Sequence, residues 1–163
     1  MAKRDSTWTN QDGLYVGFGT REVETNTAGG HAPKGAIQTM TMKISGANLS
    51  DAVAAADLEN AAVIPADALL VSARLFVTTA FVGATATLDI GTYDASDNTA
   101  EDDDGIDAAI AVGTLTDNAV VTCDGAEIGT VMPHAMKLGA SYDTAAFTAG
   151  EATLVVEFIA DAA

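Results

Sequence analysis

The residues whose type and spacing could do chemistry are acidic. Asp94, Asp97, Glu101, Asp102, Asp103, Asp104 and Asp107 crowd one short stretch. Hard cations such as Ca²⁺ take several carboxylate and carbonyl oxygens, so Asp102-Asp103-Asp104-Gly105 invites a calcium reading. The register excludes an EF-hand. With Gly105 at the sixth loop position, the first and last positions would be Ala100 and Ala111, which offer no side-chain ligand. The stretch therefore reads as a solvated acidic loop between two strands, with a loop-bound Ca²⁺ as the alternative. Acid/base hydrolysis would need two carboxyls placed across a cleft. With 23 acids in the chain, some pair meets almost any spacing, so spacing alone carries no information.

The remaining candidates are isolated. His31 lies between Gly30 and Ala32, and His134 follows Pro133, which suggests a loop. Neither sits in a nucleophile elbow or another recognisable catalytic setting. One cysteine, Cys123, and two distant histidines show no zinc-ligand spacing. Cys123 reads as a small, half-buried strand residue. Gly17-Phe18-Gly19 lacks the lysine and the following helix of a phosphate loop. No catalytic, metal or cofactor site is expected. Trp8, Tyr15 and Phe18 could form a platform for sugars or bases. Set in a polar segment, they read better as anchors of that segment in a hydrophobic groove. With Arg21 they are the expected contact residues of this segment, whether with the chain's own body, a neighbouring copy or a different protein.

The elements that would position these groups are strands. Residues 1–36 are polar and rich in Thr, Asn and Gly, with too little apolar surface for a core. They read as an extended N-terminal arm, and 37–163 as one β-sandwich domain. Met40, Met42 and Ile44 share one face of a strand, with Thr39, Thr41 and Lys43 opposite. Asp51–Ala62 is Ala-rich and suits one or two helical turns or a loop. Leu69, Val71, Ala73, Leu75, Val77 and Phe81 all fall on odd positions. Such a run would span about 43 Å at 3.3 Å per residue, so a bend or bulge is expected within it. Gly83 then suggests a tight turn, with Ala84, Ala86, Leu88 and Ile90 on the return strand of a hairpin. Shorter strands are expected near 119–123 and 127–132. Ile106–Val112 suits either one helical turn or a strand. In the closing strand, Leu154, Val156 and Phe158 face inward. Short strands joined by Gly, Asp and Asn turns place the chain in the all-β class, as a sandwich or barrel.

Charge narrows the partners. The formal net charge is -16. Residues 1–50 hold five bases against four acids, whereas 51–163 hold two against nineteen. So negative a body repels phosphate backbones and anionic lipid, which argues against nucleic acid and membrane as partners. The first residues are charged and polar and do not read as a secretory signal, so synthesis as a soluble cytosolic chain is expected. No apolar run approaches the ~20 residues that span a bilayer.

Val63-Ile64-Pro65-Ala66-Asp67-Ala68-Leu69, the run Gly83-Ala84-Thr85-Ala86-Thr87-Leu88-Asp89-Ile90-Gly91-Thr92-Tyr93-Asp94, Asp104-Gly105-Ile106-Asp107 and the closing Thr148–Glu157 together form a pattern. Over about 63–157 it resembles small structural proteins of tailed bacteriophages, some of which are capsid decoration, or cement, proteins. The arm is not covered. The resemblance implies a jelly-roll or related β-sandwich, a homo-oligomer (often a trimer), and a place on the outer capsid against the major capsid protein. It requires no enzyme chemistry. A carbohydrate-binding or adhesion module and, further off, a hydrolase using acidic residues are the other classes considered.

Overall fold

The computed structural model describes residues 7–9, 15–17, 37–59 and 61–160. The chain divides into two compact units, Met1–Ala36 and Ile37–Ala163. In the first, β1 (Thr7–Thr9) and β2 (Tyr15–Gly17) pair antiparallel, with Trp8 opposite Val16 and Thr9 opposite Tyr15.

Among the described residues the second unit holds eight strands: β3 (Ile37–Ser45), β4 (Val63–Ile64), β5 (Leu69–Val82), β6 (Thr87–Asp94), β7 (Ala100–Ala111), β8 (Val120–Thr122), β9 (Met136–Asp143) and β10 (Ala149–Ile159). One sheet runs β3-β10-β5-β8 and the other β4-β9-β6-β7. Every connection except β6–β7 passes from one sheet to the other. This is the strand order of a jelly roll, two Greek keys wrapped into a double sheet. A single-turn helix, α1 (Ala55–Leu58), lies in the Ala-rich stretch and buries Leu58.

The reason is the period-two pattern. Even positions Ala152, Leu154, Val156 and Phe158 of β10 are buried, and odd positions face outward. They meet Leu88 and Ile90 of β6, Ile106 and Ile110 of β7, and Met136 and Leu138 of β9 in one core. Burying a side chain of this size contributes about 1.5–3 kcal/mol.

The long strand bends as expected, and its bulges change which residues face in. Against β10, Ser72 pairs with Glu157 and Leu70 with Phe158, leaving Val71 as an extra residue. One extra residue inverts the alternation, so Leu70 is buried while Leu69 and Val71 are half-buried. The even-odd reading of Leu69 and Val71 as core is corrected accordingly. A second irregularity lies between Thr79 and Val77, and beyond it Phe81 packs edge-on against Phe147, ring centroids 5.1 Å apart.

Other expectations are also revised. The β5 and β6 strands do not form a hairpin: they lie in different sheets, and the Gly83 turn arches over the core. Each presents an apolar face, and two such faces are satisfied by stacking as well as by sharing a sheet. Residues 127–132 contain turns and one bridge, Val131 to Leu69, rather than a strand. Ile106–Ala111 is strand, and Val112–Thr114 forms a 3-10 turn. The central strand β9 was not legible, because Gly139, Ala140 and Ser141 break its apolar pattern. The Tyr93 ring lies against Gly139, where a side chain would collide with it.

Candidate functional site

The acidic stretch is not a loop. Asp94 ends β6, residues 95–97 turn, and Glu101 through Asp107 lie in β7, an outer strand of its sheet. Opposite β6, Ile90 pairs with Asp107 and Thr92 with Asp102. Only Gly91 on β6 therefore faces the four intervening residues of β7, Asp103 to Ile106, which bulge away. Gly91 is required there, because a Cβ would run into the backbone of Asp102 and Asp103. The turn after β8 fills the bulge: the N–H groups of Gly125 and Glu127 donate to Ile106 O and Gly105 O, both at 2.9 Å. Carboxylates along an unpaired edge also discourage strand-to-strand aggregation.

Among the described residues, Asp102, Asp103 and Asp104 each bring one carboxylate oxygen within 4.8 Å of the others. Asp103 and Asp104 also line a cleft of about 550 Å³ with Asp51, Asp89, Asp143 and Ser141. Burial pushes the Asp89 carboxyl above the ordinary range, against a bond from the Ala109 N–H and with support from the charges of Asp143, Asp104 and Asp103. Asp102 is raised in the same way, by burial and by Asp104. Glu127 is raised by burial. It accepts a hydrogen bond from Thr92 Oγ1 at Oε1 (2.7 Å), and its Oε2 is enclosed without a partner. The arrangement concentrates negative charge, and its chemistry is that of a diffuse attractor of cations.

Other candidates fall apart spatially. His134 lies in the bend before β9, its Nε2 3.1 Å from Asp94 Oδ2 and 3.4 Å from Glu101 Oε2. Asp94 is held below the ordinary carboxylate range, chiefly by the Ser96 backbone N–H. Cys123 follows β8 and is buried rather than half-buried; burial, aided by Asp107, pushes its thiol up to about 12. A thiol so protonated is a poor nucleophile. An apolar cleft of about 570 Å³ opens between β3 and β9, lined by Met40, Met42, Leu49, Val53 and Leu58 among others. Asp107, only 7% exposed on β7, is the functional-type residue that alternation obscured: acidic in sequence, inward in the fold, its carboxyl raised by burial and then by Asp124.

Of the expected contact residues, Trp8 lies in β1 and Tyr15 in β2, on the two paired strands of the first unit. Phe18 and Arg21, like His31, lie outside the described residues.

No protein-family model matches the chain. No curated protein matches it either. Two solved structures are similar in fold. One is a chain in the capsid of Ralstonia phage GP4, with 18% identity, a TM-score of 0.50, and coverage of 86% of this chain and 94% of that one. The other is a chain in the cyanophage Pam1 capsid asymmetric unit, at 16% identity and a TM-score of 0.45, covering 85% and 96% respectively. The likeness to the Ralstonia phage GP4 chain is one of fold: a jelly-roll sandwich of two antiparallel four-stranded sheets.

Proposed function

We propose that this chain is a structural component of a tailed-phage virion, and that it acts as a decoration protein on the outside of the major capsid shell. The observation that carries the reading is the shared jelly-roll fold with a chain of a phage capsid over 94% of that chain's length. The residue pattern over 63–157 supports it independently. In this reading the arm, with Trp8, Tyr15, Phe18 and Arg21, contacts the major capsid protein or a neighbouring subunit. The body associates with itself, as a trimer in the form the resemblance implies. Many copies bridging shell joints make modest contacts additive, so no single contact need be strong. The acidic edge at β7 faces solvent and keeps decorated particles apart by repulsion.

The test is binding of the purified chain to expanded, undecorated capsids, read by cosedimentation and by electron microscopy of the particles. Saturable density on the shell exterior is expected, and Trp8→Ala should weaken it. A strict monomer that does not bind capsids at any concentration would remove the reading. A carbohydrate-binding module would then be next. Within residues 37–59 and 61–160, however, Phe76 is the only large aromatic that is clearly exposed, and a single ring is a poor platform for a sugar.

A further inference from the structure

We infer that two copies of this chain dock face to face through the outer surface of the β3-β10-β5-β8 sheet. This goes beyond the virion reading, since it concerns copies in solution whether or not a capsid is present.

The register lays this surface out in rows. Val120 of β8, Phe76 of β5, Thr153 of β10 and Lys43 of β3 form one row. The next is Thr122, Arg74, Val155 and Thr41. Glu151 stands above the first row on β10 and Glu157 below the second. Small and polar side chains thus surround an apolar patch. Phe76 (39% exposed) lies directly opposite Val120 (56% exposed), with the half-buried Val155 diagonal to Phe76.

The occupant follows from charge. The whole chain carries -16, so copies repel one another over most of their surface. Within the described residues of the second unit this sheet is the exception: its strands hold two cations, Lys43 and Arg74, and two anions, Glu151 and Glu157. Neither cation forms an ion pair among the described residues. Glu151 Oε1 and Glu157 Oε2 accept single hydrogen bonds from Ser45 and Ser72, both at 2.7 Å, which orients each carboxylate and leaves its other oxygen for a partner. The four charges form a diamond, with the anions at its ends along β10 and the cations on the flanking strands. About an axis along or across the strands carboxylate would stack on carboxylate, whereas a two-fold axis in the plane of the face and oblique to the strands brings cations towards carboxylates. The face is then its own complement, as an isologous contact requires. Its size also fits. Three strands about 4.8 Å apart and about nine residues long cover a footprint of roughly 14 by 30 Å, and the three-residue β8 adds a short edge to it. Side-chain relief raises the accessible area above that footprint, towards the ~800 Å² per partner of a stable interface.

The experiment measures mass in solution by sedimentation equilibrium up to about 100 μM, a range that detects contacts of micromolar strength. An even-numbered assembly is expected for the wild-type chain: a dimer, or a hexamer where the trimer of the virion reading also forms. Phe76→Asp should weaken pairing at least about tenfold, as loss of a central aromatic does. Val120→Asp should act in the same direction. A chain carrying Lys43→Glu and Arg74→Glu should fail to pair, as should one carrying Glu151→Lys and Glu157→Lys, while an equimolar mixture should pair. Circular dichroism and thermal melting confirm that each variant is folded, and the two aspartate variants serve if a charge-reversed chain is not. A monomer at all concentrations, an odd-numbered assembly, or pairing indifferent to Phe76→Asp and Val120→Asp would overturn the inference. So would a monomer whose capsid binding is lost in Phe76→Asp, an outcome that assigns the face to the shell instead and leaves the virion reading standing.

Discussion

The two sheets share one core and differ almost completely in what they show to water. The strands of β3-β10-β5-β8 hold two bases and two acids, and their outer face is dominated by Thr, Ser and Val. The strands of β4-β9-β6-β7 hold eight acids and a single base, Lys137, whose Nζ donates to Asn98 Oδ1 at 2.8 Å. Inside, the sheets are equivalent: Leu75 and Leu154 on one side and Leu88 and Ile90 on the other are all fully buried. Stability is therefore a joint property of both sheets, and electrostatic behaviour belongs largely to one. A protein built this way can associate through its neutral face while its acidic face stays in solvent.

The comparison can be broken most forcefully in the core. Leu154→Ala and Leu88→Ala should each cost about 2–5 kcal/mol, and by similar amounts, since both lose a side chain from the same packed layer. Denaturant unfolding measures this, and a large inequality would show that the sheets do not share one core.

A smaller effect is expected at the β7 bulge. Gly91→Ala forces a Cβ into the Asp102–Asp103 backbone and should destabilise by about 1–3 kcal/mol. Ala at Gly113, where a Cβ meets nothing within 4 Å, is the matched control and should be close to neutral.

Titration should separate the sheets next. Asp89, Asp102, Asp107 and Glu127 all have raised carboxyl pKa values in the folded state, each chiefly through burial. The folded chain then binds more protons than the unfolded chain between the ordinary and the raised values, so stability increases as pH falls through that window. The melting temperature should rise on mild acidification from neutral pH, and fall again once the ordinary carboxylates protonate. Asp107→Asn with Glu127→Gln should flatten the rise.

The smallest effect concerns screening. Salt weakens repulsion between exposed charges. Replacing Asp103 and Asp104 by Asn should raise the melting temperature slightly at low ionic strength and reduce its dependence on salt. Lys43→Ala should change monomer stability by no more than about 0.5 kcal/mol, as for most surface positions.

How much of this was legible depended on the range of the interaction. Residues 38–44 and 152–158 were read to the correct face from alternation alone, because pleating makes facing a local property. The interior of β5 was half legible: its length implied a bulge, but the bulge position depends on how β10 pairs with it, and so Leu70 replaced its neighbours in the core. The acidic stretch was misread as a loop for a related reason. Its residues have low strand propensity, and only pairing with β6 and the support of the 125–127 turn hold them extended. Trp8 and Tyr15 were singled out by composition, and what they touch remains part of the proposal.

By itself, the sequence determined the all-β class, the faces of the regular strands, the concentration of acid after residue 50 and the absence of any spaced ligand or nucleophile motif. These are local or compositional properties, carried by neighbours one to four residues apart. Tertiary structure decided that β5 and β6 part into different sheets, that β9 lies between β4 and β6, that Asp107 turns inward, and that the charges divide between two faces. Each joins residues distant in sequence, and each is selected by closing one core between two sheets, a condition that no single segment carries.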